Sequence, residues 1–287
     1  MTVFDAATLR ELEALRRRLQ VRARSAGSGE RIASRRGSSA EFLEHRAYEP
    51  GDDLRRIDWL AYARSGEPVF KLFRAEEDVV VRVVLDASGS LAEEPKRTYA
   101  KKLAASVAYM ALANQERVQF ASSSGDGIRI SDPMRGRAAV PKLLRLLDEC
   151  AFGGRISLAD AIDAVVSRSS RAGLLVIVSD FFDASPVEDV CARARAEGHD
   201  LVLLQVLSPE ELSPPYDGDF ALEDSETGDL VEVTLDSAVI DAYLARLNQL
   251  FTRLRALAKR NGASYVRTST SAPTLDAVRR VVAKGVD

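Results

Sequence analysis

Histidine and cysteine are scarce, with two of each in 287 residues, and tryptophan occurs once. Cys150 and Cys191 stand far apart, with no second Cys or His at metal-ligand spacing. Neither a zinc site nor a disulfide framework is indicated, and both read as reduced structural thiols. With His45 and His199 the only histidines, a Ser-His-Asp system has little to draw on. His199 lies in the turn "AEGHDL" before a strand and reads as a surface residue, and His45 has no evident serine partner. Long apolar runs are missing too. "GLLVIVSDFF" and "DLVLLQVL" have strand length, well short of the roughly 20 residues of a membrane-spanning helix. The opening "MTVFDAATLRELEALRRRLQ" lacks the apolar centre and cleavage site of a secretory signal, so a cytoplasmic location is the expectation. What is present, 46% hydrophobic and 29% charged residues, suits a globular chain with at least one substantial core.

The net charge of −3 conceals segregation. Nine arginines and three glutamates fall between Arg10 and Arg36, whereas residues 208–245 hold eleven acidic residues and no Lys or Arg. The basic segment could touch nucleic acid or an anionic membrane surface, or be a solvated helix face followed by a loop. Aromatic interleaving and base-reading motifs are absent, so no nucleic-acid partner is expected. The acidic segment would suit a basic partner surface.

Leu9, Leu12, Leu15 and Leu19 recur at helical spacing and predict an amphipathic helix over 6–22 whose apolar stripe must dock on something. "ARSAGSGERIASRRGSS" follows as an irregular connection, and no Gly-Lys-Ser/Thr closes it into a phosphate loop. From Val79 onward, buried strands alternate with amphipathic helices near 95–114, 137–149, 158–169, 186–197, 236–260 and 273–283. This order predicts an α/β, doubly wound, mostly parallel sheet with helices on both faces. "FALEDSETGDLVEVTL" departs from it as a peripheral β-hairpin. Two domains are expected: residues 1–78, with the helix, basic linker and an irregular block, and residues 79–287.

In open α/β sheets the functional crevice lies beyond the carboxyl ends of the strands, where strand order reverses. Two strands carry acidic residues there, "VVLDASGS" with Asp86 and "LLVIVSDFFD" with Asp180. If they are neighbours, Asp86, Ser88, Ser90 and Asp180 form an oxygen-rich pocket of the kind that suits Mg2+. The same residues also suit a structure without an ion, with the serines capping the next helix and Asp86 holding loop N–H groups.

"DASGS" with the distant Asp180 resembles the metal-ion-dependent adhesion site of von Willebrand factor A domains, whose pattern is Asp-x-Ser-x-Ser with a distant Thr and Asp. Upstream, "EFLEHRAYEPGDDLRRIDWLAYARSGEPVFKLF" resembles the signature block of the bacterial domain-of-unknown-function 58 family, which is followed by such a domain. The matching positions are Arg46, Tyr48, Gly51, Asp52, Arg55, Ile57, Asp58, Trp59, Ala63 and Arg64. The resemblance implies direct metal contacts for Ser88 and Ser90 and outer, water-mediated ones for Asp86 and Asp180. Where it places the threonine, five residues before Ala161, this chain has Ile156, which cannot ligate; Ser157 is adjacent.

Within the block, Pro50-Gly51 reads as a turn, and Asp52 or Asp53 as the cap of a short helix beginning "LRRIDW". Arg46, Arg55 and Arg64 lie near Asp52 and Asp58, with Tyr48 and Trp59 as large apolar bodies. The expectation is a structural clasp that joins the N-terminal segment to the α/β domain, with Asp58 and Arg64 as partly buried partners.

No nucleophile is paired with an acid or base. The resemblance therefore implies a non-enzymatic adaptor that presents the Asp86 pocket to a protein, such proteins often working with MoxR-type AAA+ ATPases in assembly or activation of other complexes. The alternative is a Mg2+-dependent phosphohydrolase with Asp86 as nucleophile, although Ser88 stands where those enzymes carry an acid.

Overall fold

Side chains on successive strand residues point to opposite faces, and the central strands of this protein are apolar on both. In a computed structural model that describes residues 4, 6–25, 40–49, 52, 54, 57–75, 80–154, 157–183, 187–225 and 228–284, all seven residues of β3 (Val80–Asp86) are buried. Val81, Val83 and Leu85 enter one core and Val84 the other. Strands β7 (Leu174–Ser179) and β8 (Asp200–Leu207) divide in the same way: Val176, Val178, Val202 and Leu204 face the first core, Leu175, Ile177, Leu201 and Leu203 the second. Such strands read as continuous apolar runs because helices cover both faces.

These strands lie in one sheet with β4 (Arg117–Ser124), β5 (Gly127–Ile130), β6 (Met134–Arg135) and β11 (Ser264–Ser269), in the order β11-β8-β7-β3-β4-β5, with β6 also pairing β4. All pairings are parallel except those of β5 and β6. Residues of α3 (Lys96–Ala113), α4 (Val140–Asp148) and α9 (Thr274–Lys284) fill the first core. Those of α5 (Leu158–Ser167), α6 (Val187–Ala196) and α8 (Ser237–Arg260) fill the second. The chain leaves β3 toward β4 on one side and later returns to β7 on the other. Strand order therefore reverses at β3, the place in such sheets where a crevice is expected beyond the strand ends.

Two compact units divide the chain. Chain order groups α1 (Ala6–Ser25) with the residues up to 78, but the helix belongs to the larger unit. Leu12 and Leu15 are buried in the first core with Phe4, whose ring meets Tyr109 of α3 edge-on at 5.9 Å, and Leu9 packs against it. Glu13 accepts from the Tyr109 hydroxyl and pairs with Arg137. The Leu19 side chain lies outside the described residues.

The smaller unit holds β1 (Ala40–Ala47), α2 (Trp59–Ser65) and β2 (Val69–Ala75), and β1 pairs antiparallel with β2. The expectation of helical and irregular structure omitted these two strands. A register shift between Phe42 and Glu44 breaks the period of two that marks a strand in sequence. The expected hairpin is present as β9 (Gly218–Glu223) and β10 (Leu230–Leu235), with Leu222, Leu230 and Val231 exposed. A short helix, α7 (Pro209–Leu212), precedes it. Among the described residues no helix is long and apolar enough to cross a membrane.

If α1 is part of the core, Leu12→Ala leaves a cavity and lowers the unfolding free energy by about 2–5 kcal/mol in urea denaturation. An unchanged midpoint would mean that the helix is dispensable to the fold.

Candidate functional site

A buried strand that ends in a carboxylate needs donors around it. Asp86 lies on the second-core face of the sheet, and neighbouring strands place polar residues in the same row. Ser123 of β4 is its register partner, Ser179 closes β7, Gln205 of β8 pairs with Ser179, and Arg267 of β11 pairs with Gln205. The Ser179 hydroxyl donates to Asp86 Oδ2 at 2.7 Å, and the Ser88 N–H donates to Oδ1 at 3.0 Å. Gln205 Nε2 donates to the Asp180 carbonyl at 2.8 Å. Ser123 is buried and its hydroxyl has no partner. Burial, and next the charge of Asp180, push the Asp86 carboxyl up to about 6, against the pull of the Ser179 and Ser88 hydrogen bonds.

Three loops are knitted together above this row. The Ala87 N–H donates to the Ser123 carbonyl, the Gly89 N–H to Gly154, the Gly153 N–H to Ala87 and the Gly125 N–H to Gly153. Gly154 sits at φ +70, and a Cβ there would come within 2.5 Å of the Gly125 Cα. Glycine is required for that approach. The Ser88 and Ser90 hydroxyls lie 3.1 Å apart. Ser88 precedes a 3₁₀ turn but makes no side-chain cap bond, and α3 begins after Pro95, also without one. The serines are therefore not engaged as helix caps.

Beyond β7, the Phe181 N–H donates to Ser179 Oγ and the Phe182 N–H to Asp180 Oδ1. Phe181 adopts φ 57, unusual for a bulky residue. This turn buries the Phe181 ring and leaves Phe182 43% exposed. Lys96, the first residue of α3 and only 5% exposed, donates to Asp180 Oδ2 at 2.8 Å and to Glu211 Oε1 at 2.7 Å. Its ammonium also lies 5.2 Å from the Phe182 ring centroid. Burial alone would lower the lysine pKa, but the charges of Asp180 and Glu211 raise it. The second oxygen of Glu211 accepts the Ser208 N–H and completes the capping box of α7.

The structure thus gathers Asp86, Ser88, Ser90 and Asp180 at one crevice. Ser157 caps α5, its hydroxyl accepting from the Asp160 N–H, and Ile156 lies outside the described residues. A Mg2+ ion held as the resemblance implies fits this donor set poorly. Asp180 already binds an ammonium and Ser157 is a cap, which leaves Ser88 and Ser90 alone as the implied direct ligands.

The remaining expectations concern the signature block. Arg46 pairs with Asp52 at 2.7 Å and stacks over Phe70, Asp52 accepts the Glu49 N–H, and the Tyr48 N–H donates to the Pro68 carbonyl. These contacts tie the small unit to itself. Asp58, not Asp52, caps the helix, which begins at Trp59 and not at Leu54. Arg64 donates to the Leu60 carbonyl rather than to Asp58, and Trp59 is 59% exposed. Asp58 directly precedes the helix, and its carboxylate accepts the Leu60 and Ala61 N–H groups. Arg55, Gly51 and Asp53 lie outside the described residues. His199, expected at the surface, is buried just before β8, and burial, then the charge of Arg82, hold its imidazole below the usual range.

Sequence reading missed Lys96, Glu211, Ser179 and Phe182. Two signals were present. A lysine opening a helix runs against the macrodipole and calls for a carboxylate, and "SPEE" carries the spacing of a capping box.

Residues 44–250 match the family described as "Protein of unknown function DUF58". The chain belongs to that family. A DUF58 chain of similar sequence, "Uncharacterized protein Rv1480" of Mycobacterium tuberculosis (strain ATCC 25618 / H37Rv), is 32% identical over 248 residues, 83% of this chain and 76% of that one. "Uncharacterized protein MAV169" of Mycobacterium avium is 34% identical over 115 residues, 38% of this chain and 65% of that one. Among solved structures, the "conserved hypothetical protein BatB from Bacteroides thetaiotaomicron" is 16% identical, with a TM-score of 0.47. An "aerotolerance-related membrane protein" from Bacteroides fragilis NCTC 9343 is 17% identical, with a TM-score of 0.48. Each covers 72% of this chain and 98% of its own. At those scores neither likeness carries an argument.

The raised Asp86 pKa has a sign that can be tested in this DUF58 chain. Between the ordinary value of 3.8 and about 6, the folded protein keeps a proton that the unfolded chain has lost. Stability from this group is thus fully present below 3.8 and is lost as pH rises through about 6. The loss amounts to about 3 kcal/mol. Asp86→Asn should melt above wild type at pH 7–8, and the gain should vanish near pH 4. A gain independent of pH would contradict the assignment.

Proposed function

We propose that this DUF58 protein is a non-enzymatic binding module that presents the crevice at the carboxyl ends of β3 and β7 to a protein partner. The carrying observation is the turn after β7. A left-handed Phe181, held by the Ser179 hydroxyl, exposes the Phe182 ring beside a cluster of buried polar groups. Strained backbone that persists at a ligand crevice points to function, and an exposed aromatic ring with polar surroundings is the usual form of an interface anchor. The fold read into this proposal is the von Willebrand factor A-like, doubly wound arrangement. Its support is the strand path with reversal at β3, helices on both faces and an antiparallel edge at β5.

The partner proposed from the family resemblance is a MoxR-type AAA+ ATPase, met in the cytoplasm, with the chain acting as adaptor in assembly or activation of another complex. The adhesion site is degenerate on this reading, since Asp180 is paired with Lys96 and Ser157 caps α5. Phosphohydrolase chemistry has less in its favour. Asp86 is 5% exposed and both its oxygens accept hydrogen bonds, Ser88 stands in place of the acid, and His199 is buried at the opposite end of β8.

Phe182→Ala should weaken binding to the ATPase ~10-fold or more, read by surface plasmon resonance, and leave the melting temperature unchanged. Equal affinity of the variant and wild type would remove the crevice as the contact surface.

A further inference from the structure

Lys96 opens α3, where the free peptide N–H groups already concentrate positive charge. A lysine in that position is unfavourable unless carboxylates meet it, and two do so from distant parts of the chain. Asp180 follows β7 and Glu211 lies in α7, after β8; each is within 2.8 Å of the ammonium. The lysine is almost fully buried, so its charge is strongly felt and would be costly without partners. Each carboxylate is fixed by a second bond, Asp180 from the Phe182 N–H and Glu211 from the Ser208 N–H. The ammonium is therefore a built junction between the ends of β7 and β8 and the start of α3.

Asp180 is also the residue to which the family resemblance assigns an outer metal role. A divalent ion brought beside it would meet a fixed positive charge and compete for a carboxylate that is already paired with an ammonium. We propose that the Lys96 ammonium is a resident cation of the crevice, bridging Asp180 and Glu211 and so occupying the carboxylate to which the resemblance gives an outer metal role, so that the site is assembled and binds without a divalent metal. The binding half of this statement rests on the proposed function; the assembly half does not.

The test is thermal melting and titration calorimetry of the full chain in MgCl2 and in EDTA. Wild type should melt at the same temperature in both and give no binding isotherm with Mg2+. Lys96→Ala removes the cation and opens space, leaving Asp180 and Glu211 without their counter-charge. It should melt lower in EDTA and recover by ~2 °C or more with Mg2+. A wild-type isotherm with a matching rise in melting temperature overturns the proposal, as does a Lys96→Ala protein indifferent to Mg2+. Should Lys96→Ala not fold, Lys96→Met is compared with Lys96→Met combined with Asp180→Asn. The double variant should melt higher, because it removes the uncompensated charge; melting no higher overturns the proposal. Failure of the crevice as a partner surface shows separately, as unchanged ATPase affinity of Phe182→Ala with the metal results intact.

Discussion

A carboxylate at the end of a strand that is buried on both faces must be satisfied by the strands beside it, and the carboxyl edge of this sheet is arranged around that demand. Asp86 receives the Ser179 hydroxyl from β7 and the Ser88 N–H from its own loop. The Ser88 bond folds the chain back over the strand end, and the Gly125–Gly153–Gly154 contacts hold that loop against two others. Ser179 in turn accepts the Phe181 N–H, which sets the left-handed turn. One buried charge thereby couples the position of four loop segments. Its cost, about 3 kcal/mol at neutral pH, is a substantial share of the roughly 5–15 kcal/mol that stabilises a typical domain. Proteins keep such a cost where function requires it.

The charge is handled in two ways within a few residues. Asp86 is held by neutral donors and its pKa rises, whereas Asp180 is held by an ammonium. Hydrogen bonds from a hydroxyl and an amide orient a carboxylate without cancelling its charge. A buried lysine cancels it and also fixes geometry, since the same Nζ reaches Glu211. The crevice therefore has one wall fixed by ion pairs, formed by Lys96, Asp180 and Glu211. Its other wall is more polar and less fully satisfied, with the Ser88–Ser90 hydroxyl pair and the unpartnered Ser123 hydroxyl. The exposed Phe182 ring belongs to the first wall, beside the Lys96 ammonium.

Much of this was legible in the sequence for definite reasons. Val79 onward reads as α/β because strands covered on both faces lose alternation, and the helix spacing of α1 shows in its leucines. Asp86, Ser88, Ser90 and Asp180 were legible because each ends or follows such a strand. The β1–β2 ribbon was not, because its register shift hides the period of two. Lys96 was not assigned to the site because its partners lie 84 and 115 residues away, and only the strand order brings them together. Nor did composition distinguish Trp59 exposed on a helix from Trp59 buried in a clasp, since an aromatic residue suits either place.

Hydrogen–deuterium exchange of the full chain, alone and with a MoxR-type ATPase, tests the central claim most directly. The account predicts slower exchange in the complex at the Asp86–Leu91 loop and at Phe181–Asp183, with the exposed β9–β10 hairpin unchanged. Protection confined to that acidic hairpin, with both crevice loops exchanging as in the free protein, would contradict it.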